Sequence, residues 1–328
     1  MSPMYGRFID TLERTETMKK LLIVGINGFA GQYLRRELLS NGYEVYGADL
    51  TSNDENTFSA DMVVPDAVNH ILREIRPDGI FNLSGFASPS LSWTYVTQAI
   101  RLNIEISANL AMGMKEYCPK ARLLVVGTSN QYDVEACGNR PIDENSPRRA
   151  NDPYSLSKQA QEDLLMLLAG RYDLDIMITR SFNHIGVGQK KNFVVTDFAS
   201  GIVDVERGRK NALVVGNLDS WRDFSDVRDS VRAYRLLYEK GHSGEIYNVG
   251  SGQCHQIRWI LEKLISFSTN KIPVICNTTK TGVASKVICN YEKLKRHTGF
   301  APERNIEMTL REVLEYYRNL PDNNQEGA

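Results

Sequence analysis

The chain has 328 residues and 42% apolar content, enough to bury a large core as one big domain or two unequal ones. Its 39 basic and 40 acidic residues leave a net charge of −1, which predicts no attraction to nucleic acid or an anionic membrane. The five cysteines (Cys118, Cys137, Cys254, Cys276, Cys289) form no C-x-x-C pair and no metal-ligand spacing with the five histidines, so they read as reduced thiols and no metal is expected.

Residues 1–17 lack the apolar core of a signal peptide. They read as an upstream extension before a natural start at Met18-Lys19-Lys20. No apolar run nears the roughly 18 to 20 residues that span a bilayer, so the expected compartment is the cytosol. Leu21 to Gly31 then reads as strand, tight turn and helix, with Gly25, Gly28 and Gly31 three apart and Asn27 and Phe29 between them. Glycine suits the tight turn, the approach of a pyrophosphate to backbone N–H groups, and close packing of helix on strand. Positive partial charge at the helix start would face the phosphates. The next apolar run, Tyr43 to Ala48, ends at Asp49, 24 residues after Gly25, where an acid can bind the adenosine ribose hydroxyls. These features predict a dinucleotide entrance; a glycine-rich turn without a ligand is the competing reading.

A polar loop from Thr51 leads to Asp61-Met62, placed either beside the adenine or simply on the surface. A helix face at Ala67 to Ile75 and a strand at Gly79 to Leu83 follow. Thr94 to Tyr117 reads as a long helix with apolar residues on more than one side, buried twice. Leu123 to Val126 is a fourth strand, and Gly127-Thr128-Ser129-Asn130 at its end puts hydroxyls at the carboxyl edge of a parallel sheet, where ligands sit. Residues 135–153 form a loop that ends on Asp152 and Pro153, a cap and a first-turn residue for the next helix. In that helix Tyr154 and Lys158 are four apart and share a face. An ammonium beside the phenol would lower its pKa from about 10 and make it an acid/base near neutral pH. Leu164 to Ala169 continues the helix with a further apolar run. Two such helices point to a homodimer contact, with deeper burial inside one chain as the alternative.

From Ile176 to Thr179 comes a strand; beyond Arg180 the pattern is less regular. Helices are expected near 194–206, up to about Glu239, near 256–267 and near 306–318, with strands at 213–215 and 245–249. The tail from Pro321 is polar and expected to be disordered. The fold class is α/β: a Rossmann-like, doubly wound parallel sheet with a smaller C-terminal α/β substrate lobe. Residues 18–180 with about 226–250 would bind the dinucleotide. About 181–225 and 251–320 would form the second lobe.

Taken together, G-I-N-G-F-A-G at 25–31, G-T-S at 127–129, Y-S-L-S-K at 154–158, R-S-F-N-H-I-G-V-G-Q at 180–189, W-R-D-F-S-D-V-R-D at 221–229 and Y-N-V-G-S-G at 247–252 resemble the extended short-chain dehydrogenase/reductase family. Within it the pattern is most similar to the nucleotide-sugar branch of GDP-4-keto-6-deoxymannose reductases and GDP-mannose 4,6-dehydratases. The resemblance spans about residue 19 to residue 319. It implies Thr128 as hydrogen-bond donor to the sugar oxygen, Tyr154 as acid/base, and Lys158 as holder of the nicotinamide ribose. It also implies Asn103 near the nicotinamide, Ser129 and Asn130 beside the sugar, and Asn183 and Arg222 on the nucleotide diphosphate. A salt bridge to Asp223 or Asp226 is the competing reading of Arg222, and His184 reads as a packed histidine.

Three departures stand out. Asn130 occupies the position of the dehydratases' glutamate and cannot carry a proton. The usual Arg-Pro of the C-terminal lobe stands here as Lys280-Thr281; a lysine meets phosphate as a point charge without the planar fork. The reductases often bind the 2′-phosphorylated cofactor, which Asp49 would repel, so NAD(H) is expected over NADP(H). The expected function is nucleotide-sugar oxidoreduction, reducing the 4-keto group of a (GDP-)4-keto-6-deoxyhexose. A 4-epimerase, a 4,6-dehydratase and a non-catalytic dinucleotide sensor are the alternatives.

Overall fold

A computed structural model describes residues 18–52, 54–277 and 285–321. Its centre is a seven-stranded sheet, all parallel, in the spatial order Ile246–Val249, Asp175–Ser181, Arg122–Thr128, Gly79–Asn82, Lys20–Val24, Glu44–Asp49, Thr57–Ser59. The strands are short apolar runs because both faces are covered. In Lys20–Val24, Leu22 and Val24 join one core with Ile71, Leu110, Met114 and Leu165. Leu21 and Ile23 join the opposite core with Leu34, Leu38, Tyr234 and Leu237. Helices Pro65–Ile75, Val96–Tyr117 and Pro153–Tyr172 therefore lie on one face, and Phe29–Ser40 and Val227–Lys240 on the other.

The chain starts in mid-sheet, runs outward through Glu44–Asp49 and Thr57–Ser59, then returns to the other side of Lys20–Val24 as Gly79–Asn82. Between Lys20–Val24 and Gly79–Asn82 the order reverses, and such a switch point leaves a crevice at the carboxyl ends of its two strands. A third core packs Phe198, Ile202, Leu213, Phe224, Ile260, Leu264, Leu310 and Leu314. Beside it a small sheet pairs Trp221–Asp226 with Asn183–Ile185, Cys254–Gln256 and Lys286–Val287.

Several elements differ from the sequence expectation. Thr57–Ser59, inside the polar loop, is an edge strand too short to carry an apolar period. The charged stretch at 221–226 is also a strand; its charges are spent inward, with Asp223 and Asp226 buried on hydrogen-bond donors. A one-turn helix, Val134–Cys137, interrupts the loop at 135–153. Residues 1–17 and nearly all of the tail lie outside the described residues. Among those described, no helix is long and apolar enough to cross a membrane.

Candidate active site

The glycine turn and the loop after Gly79–Asn82 meet at the switch point. Gly25 donates its N–H to the Ala48 carbonyl at 2.8 Å, joining the turn to the second strand. A Cβ on Gly31 would lie 2.2 Å from the Gly25 carbonyl oxygen, so only glycine lets the helix pack onto the turn. Helix Phe29–Ser40 starts at Gly28 with no side-chain cap and no acid in its first turn. Its first amides are thus without the usual satisfaction, and a pyrophosphate fits there. By contrast, helix Pro153–Tyr172 is closed by the expected cap, with Ser155 N–H on Asp152 Oδ1 at 2.7 Å.

Asp49 sits at the end of its strand against this turn. Asn27 N–H donates to one carboxylate oxygen at 3.0 Å and Leu50 N–H to the other at 2.8 Å. The carboxylate keeps acceptor capacity for ribose hydroxyls. The Phe29 ring stacks on His184, ring centroids 6.0 Å apart. Asp61 is exposed and accepts the Val63 N–H at 3.1 Å, whereas the Met62 side chain is buried in the core below. Whatever Met62 offers a ligand therefore comes from its backbone.

Thr128 and Tyr154 come together at the carboxyl edge of Arg122–Thr128. Thr128 acts on the Tyr154 phenol through its side chain, and Thr128 Oγ1 accepts the Asn130 N–H at 3.2 Å. The Tyr154 pKa is the reverse of the sequence expectation. Burial pushes the phenol above its usual value, the Thr128 contact opposes this, and the lysine exerts no comparable pull. The reason is geometric: Lys158 Nζ donates to the Val126 carbonyl at 2.9 Å, and burial brings its pKa down to about 8. Tyr154 at neutral pH is thus a proton donor. Ser129 is buried beside Thr128, and Asn130 is exposed.

Asn103 is fully buried. Its amide accepts Phe86 N–H at 2.9 Å and donates to Ser157 Oγ at 2.8 Å, so it shapes the site through its neighbours. Sequence reasoning missed this loop. A Cβ on Gly85 would lie 2.2 Å from Asn103 Oδ1, and 3.8 Å from Lys158 Nζ, so Gly85 forms the wall facing Lys158. The signal was available, because Ser84 and Gly85 follow the end of a parallel strand just as Thr128 does.

Register carries the site from the seven-stranded sheet into the small one. Thr128 pairs with Ser181, and Asn183, two residues on, pairs with Phe224 in the strand that bears Arg222. Arg222 makes no ion pair among the described residues, so the salt-bridge reading falls. Its guanidinium donates to Ser285 Oγ at 2.9 Å and to two carbonyls, and burial lowers its pKa. A half-buried guanidinium held only by neutral acceptors suits an anion. Asn183 is exposed, with one long contact of 3.4 Å to the Asp223 carbonyl. His184 is half-buried, and desolvation lowers its pKa, so the ring is neutral at pH 7. Lys280 lies outside the described residues.

Residues 21–250 match the NAD dependent epimerase/dehydratase family. The chain is 28% identical to the GDP-6-deoxy-D-mannose reductase of Pseudomonas aeruginosa, over 90% of this chain and 96% of that one. It is 23% identical to a GDP-mannose 4,6-dehydratase of Vibrio cholerae, over 82% and 76%. Among solved structures, RMD from Pseudomonas aeruginosa complexed with NADPH aligns with a TM-score of 0.83 and 27% identity, over 92% of this chain and 99% of that one.

Proposed function

This chain belongs to the NAD dependent epimerase/dehydratase family, and from that premise we propose that it reduces the 4-keto group of a GDP-linked 4-keto-6-deoxyhexose with NADH. The observation that carries this reading is the Thr128–Tyr154 hydroxyl pair, with a buried phenol that keeps its proton. Bound nicotinamide would supply hydride to the sugar C4. Tyr154 gives its phenolic proton to the carbonyl oxygen as that oxygen gains charge, and Thr128 orients the oxygen by hydrogen bonding. Lys158 holds the nicotinamide ribose, and water reprotonates the phenolate left behind. Arg222 and Asn183 hold the diphosphate. Asn130, where an eliminating enzyme needs an acid, leaves water loss without a proton carrier.

The similar Pseudomonas aeruginosa structure holds NADPH; here the Asp49 carboxylate favours NADH, because a 2′-phosphate would bring two like charges within a few Å. The test is to incubate the protein with GDP-4-keto-6-deoxymannose and, separately, with GDP-mannose, following NADH absorbance and product mass. NADH consumed stoichiometrically with reduced product is the expected result. Interconversion of C4 epimers without added reductant would make it an epimerase, and efficient dehydration of GDP-mannose would overturn the reading of Asn130. Cofactor binding without turnover would leave a dinucleotide sensor.

A homodimer completes the proposal. Helices Val96–Tyr117 and Pro153–Tyr172 pack on each other, yet Val96, Ile100, Leu156 and Leu167 remain exposed on them, with Trp93 and Tyr95 just before. Such a patch is covered in solution by a second copy presenting the same face. Sedimentation at micromolar concentration should give a dimer; a monomer there refutes the contact.

A further inference from the structure

Two arginines follow Leu34 on the cofactor helix, one turn beyond Gly31. A guanidinium near the adenosine ribose is the feature that lets this kind of site accept a 2′-phosphate. Neither arginine is offered for it. Arg36 lies over the Tyr33 ring, 5.6 Å from its centre. Arg35 Nη1 is tied to Asp54 Oδ2 at 2.5 Å. Asp54 cannot readily follow the arginine elsewhere, because its other oxygen accepts Asn56 N–H and Thr57 Oγ1, each at 3.0 Å. Asp54 belongs to the loop that starts at Asp49, and Asn27 of the glycine turn grips the same loop by donating to the Thr51 carbonyl at 2.7 Å. Arg35 is therefore held against the loop that leads from Asp49 and is neutralised there. Both side chains are about one-third exposed, so the pair contributes little to stability, and specificity is the better account of it.

We propose that Asp54 is a specificity-determining residue for the cofactor: by holding Arg35 it withholds a phosphate-binding guanidinium from the ribose pocket, so that exclusion of the 2′-phosphate rests on Asp54 as well as Asp49. The inference rests on the reading of residues 25–31 and Asp49 as the dinucleotide site. Asp49 repels the phosphate directly, while Asp54 acts by removing the group that would attract it. The two effects are therefore not additive. Releasing Arg35 achieves little while Asp49 still repels, and neutralising Asp49 leaves the pocket without a cation.

The test measures dissociation constants of NADH and NADPH, by titration calorimetry at fixed ionic strength, for the full chain and for Asp49→Asn, Asp54→Ala, the double variant, and the double variant with Arg35→Ala. The unaltered protein should prefer NADH. Asp49→Asn should narrow the gap, and Asp54→Ala alone should change it by less than about threefold. The double variant should bind NADPH at least ~10-fold more tightly than Asp49→Asn does, the scale of one guanidinium–phosphate contact. Arg35→Ala should remove that gain. NADH binding by the same proteins shows that each remains folded. A double variant no better than Asp49→Asn, or a gain that survives Arg35→Ala, would overturn the role of Asp54. An unaltered protein that prefers NADPH would overturn it too, and would also overturn the reading of Asp49. Absence of binding to either cofactor would instead refute the dinucleotide site itself, and this proposal with it.

Discussion

Tyr154→Phe is expected to lower turnover by about 10²- to 10⁴-fold, the range typical for loss of a general acid or base, while cofactor affinity stays within about threefold. The phenylalanine ring fills the same buried space, so packing is conserved. What disappears is the exchangeable proton, together with the hydroxyl on which the Thr128 side chain acts. Because burial raises the phenol pKa, the acid form persists above neutrality, and the reductive rate should stay level through pH 7 and fall only on the alkaline side. An upper limit comes from Lys158, whose own pKa lies at about 8 before any ligand binds. Deprotonation there would weaken its hold on the nicotinamide ribose. Steady-state rates and cofactor titrations on the two proteins settle the matter: retention of more than about a tenth of the rate would sink the acid/base assignment.

What the sequence disclosed and what it hid follow from where each signal resides. The glycine turn, Asp49, Thr128, and the Tyr154/Lys158 pair are local patterns with fixed spacing, and the fold delivers them to one crevice because parallel strands all end there. The cap at Asp152 was legible for the same reason. By contrast, the phenol pKa depends on where Lys158 Nζ points. Its partner is the Val126 carbonyl, 32 residues earlier, which helix periodicity does not encode. Arg222 was ambiguous since Asp223 and Asp226 stand nearby in sequence; strand pairing to Lys286–Val287 decides for Ser285. The tie between Arg35 and Asp54 joins a helix to a loop 19 residues later. The least legible feature is Glu162, two turns beyond Tyr154, which looks like an ordinary helix-surface acid.

Glu162→Met is expected to destabilise the protein by ~3–5 kcal/mol, the cost of stripping one partner from a buried ion pair. Glu162 is 2% exposed and Arg180 3%. The guanidinium engages the carboxylate through two parallel bonds, Nη2 to Oε1 at 2.6 Å and Nε to Oε2 at 2.9 Å. Arg148 adds a third contact at 2.9 Å and Gln131 Nε2 a fourth at 2.9 Å. Without the carboxylate, Arg180 keeps only the Tyr132 hydroxyl and the Glu144 carbonyl, both neutral, so a buried charge is left unbalanced. Such a loss is a large part of the ~5–15 kcal/mol that holds a typical domain together. Glu162→Met combined with Arg180→Met removes both charges at once and should recover most of the stability, because apolar replacement of a buried pair is often neutral. The consequence for catalysis differs from that for stability. Gln131 follows Asn130, and Tyr132 is tied to Asn248 at 2.6 Å, so the network anchors the segment that leaves Thr128 toward the substrate. The double variant should therefore fold yet bind the nucleotide sugar less well, with the Michaelis constant rising more than turnover falls. Denaturant midpoints of the two single variants and the double variant, read beside their kinetics, test this. A single variant within about 1 kcal/mol of the unaltered protein would show that Glu162 is not the charge that balances Arg180.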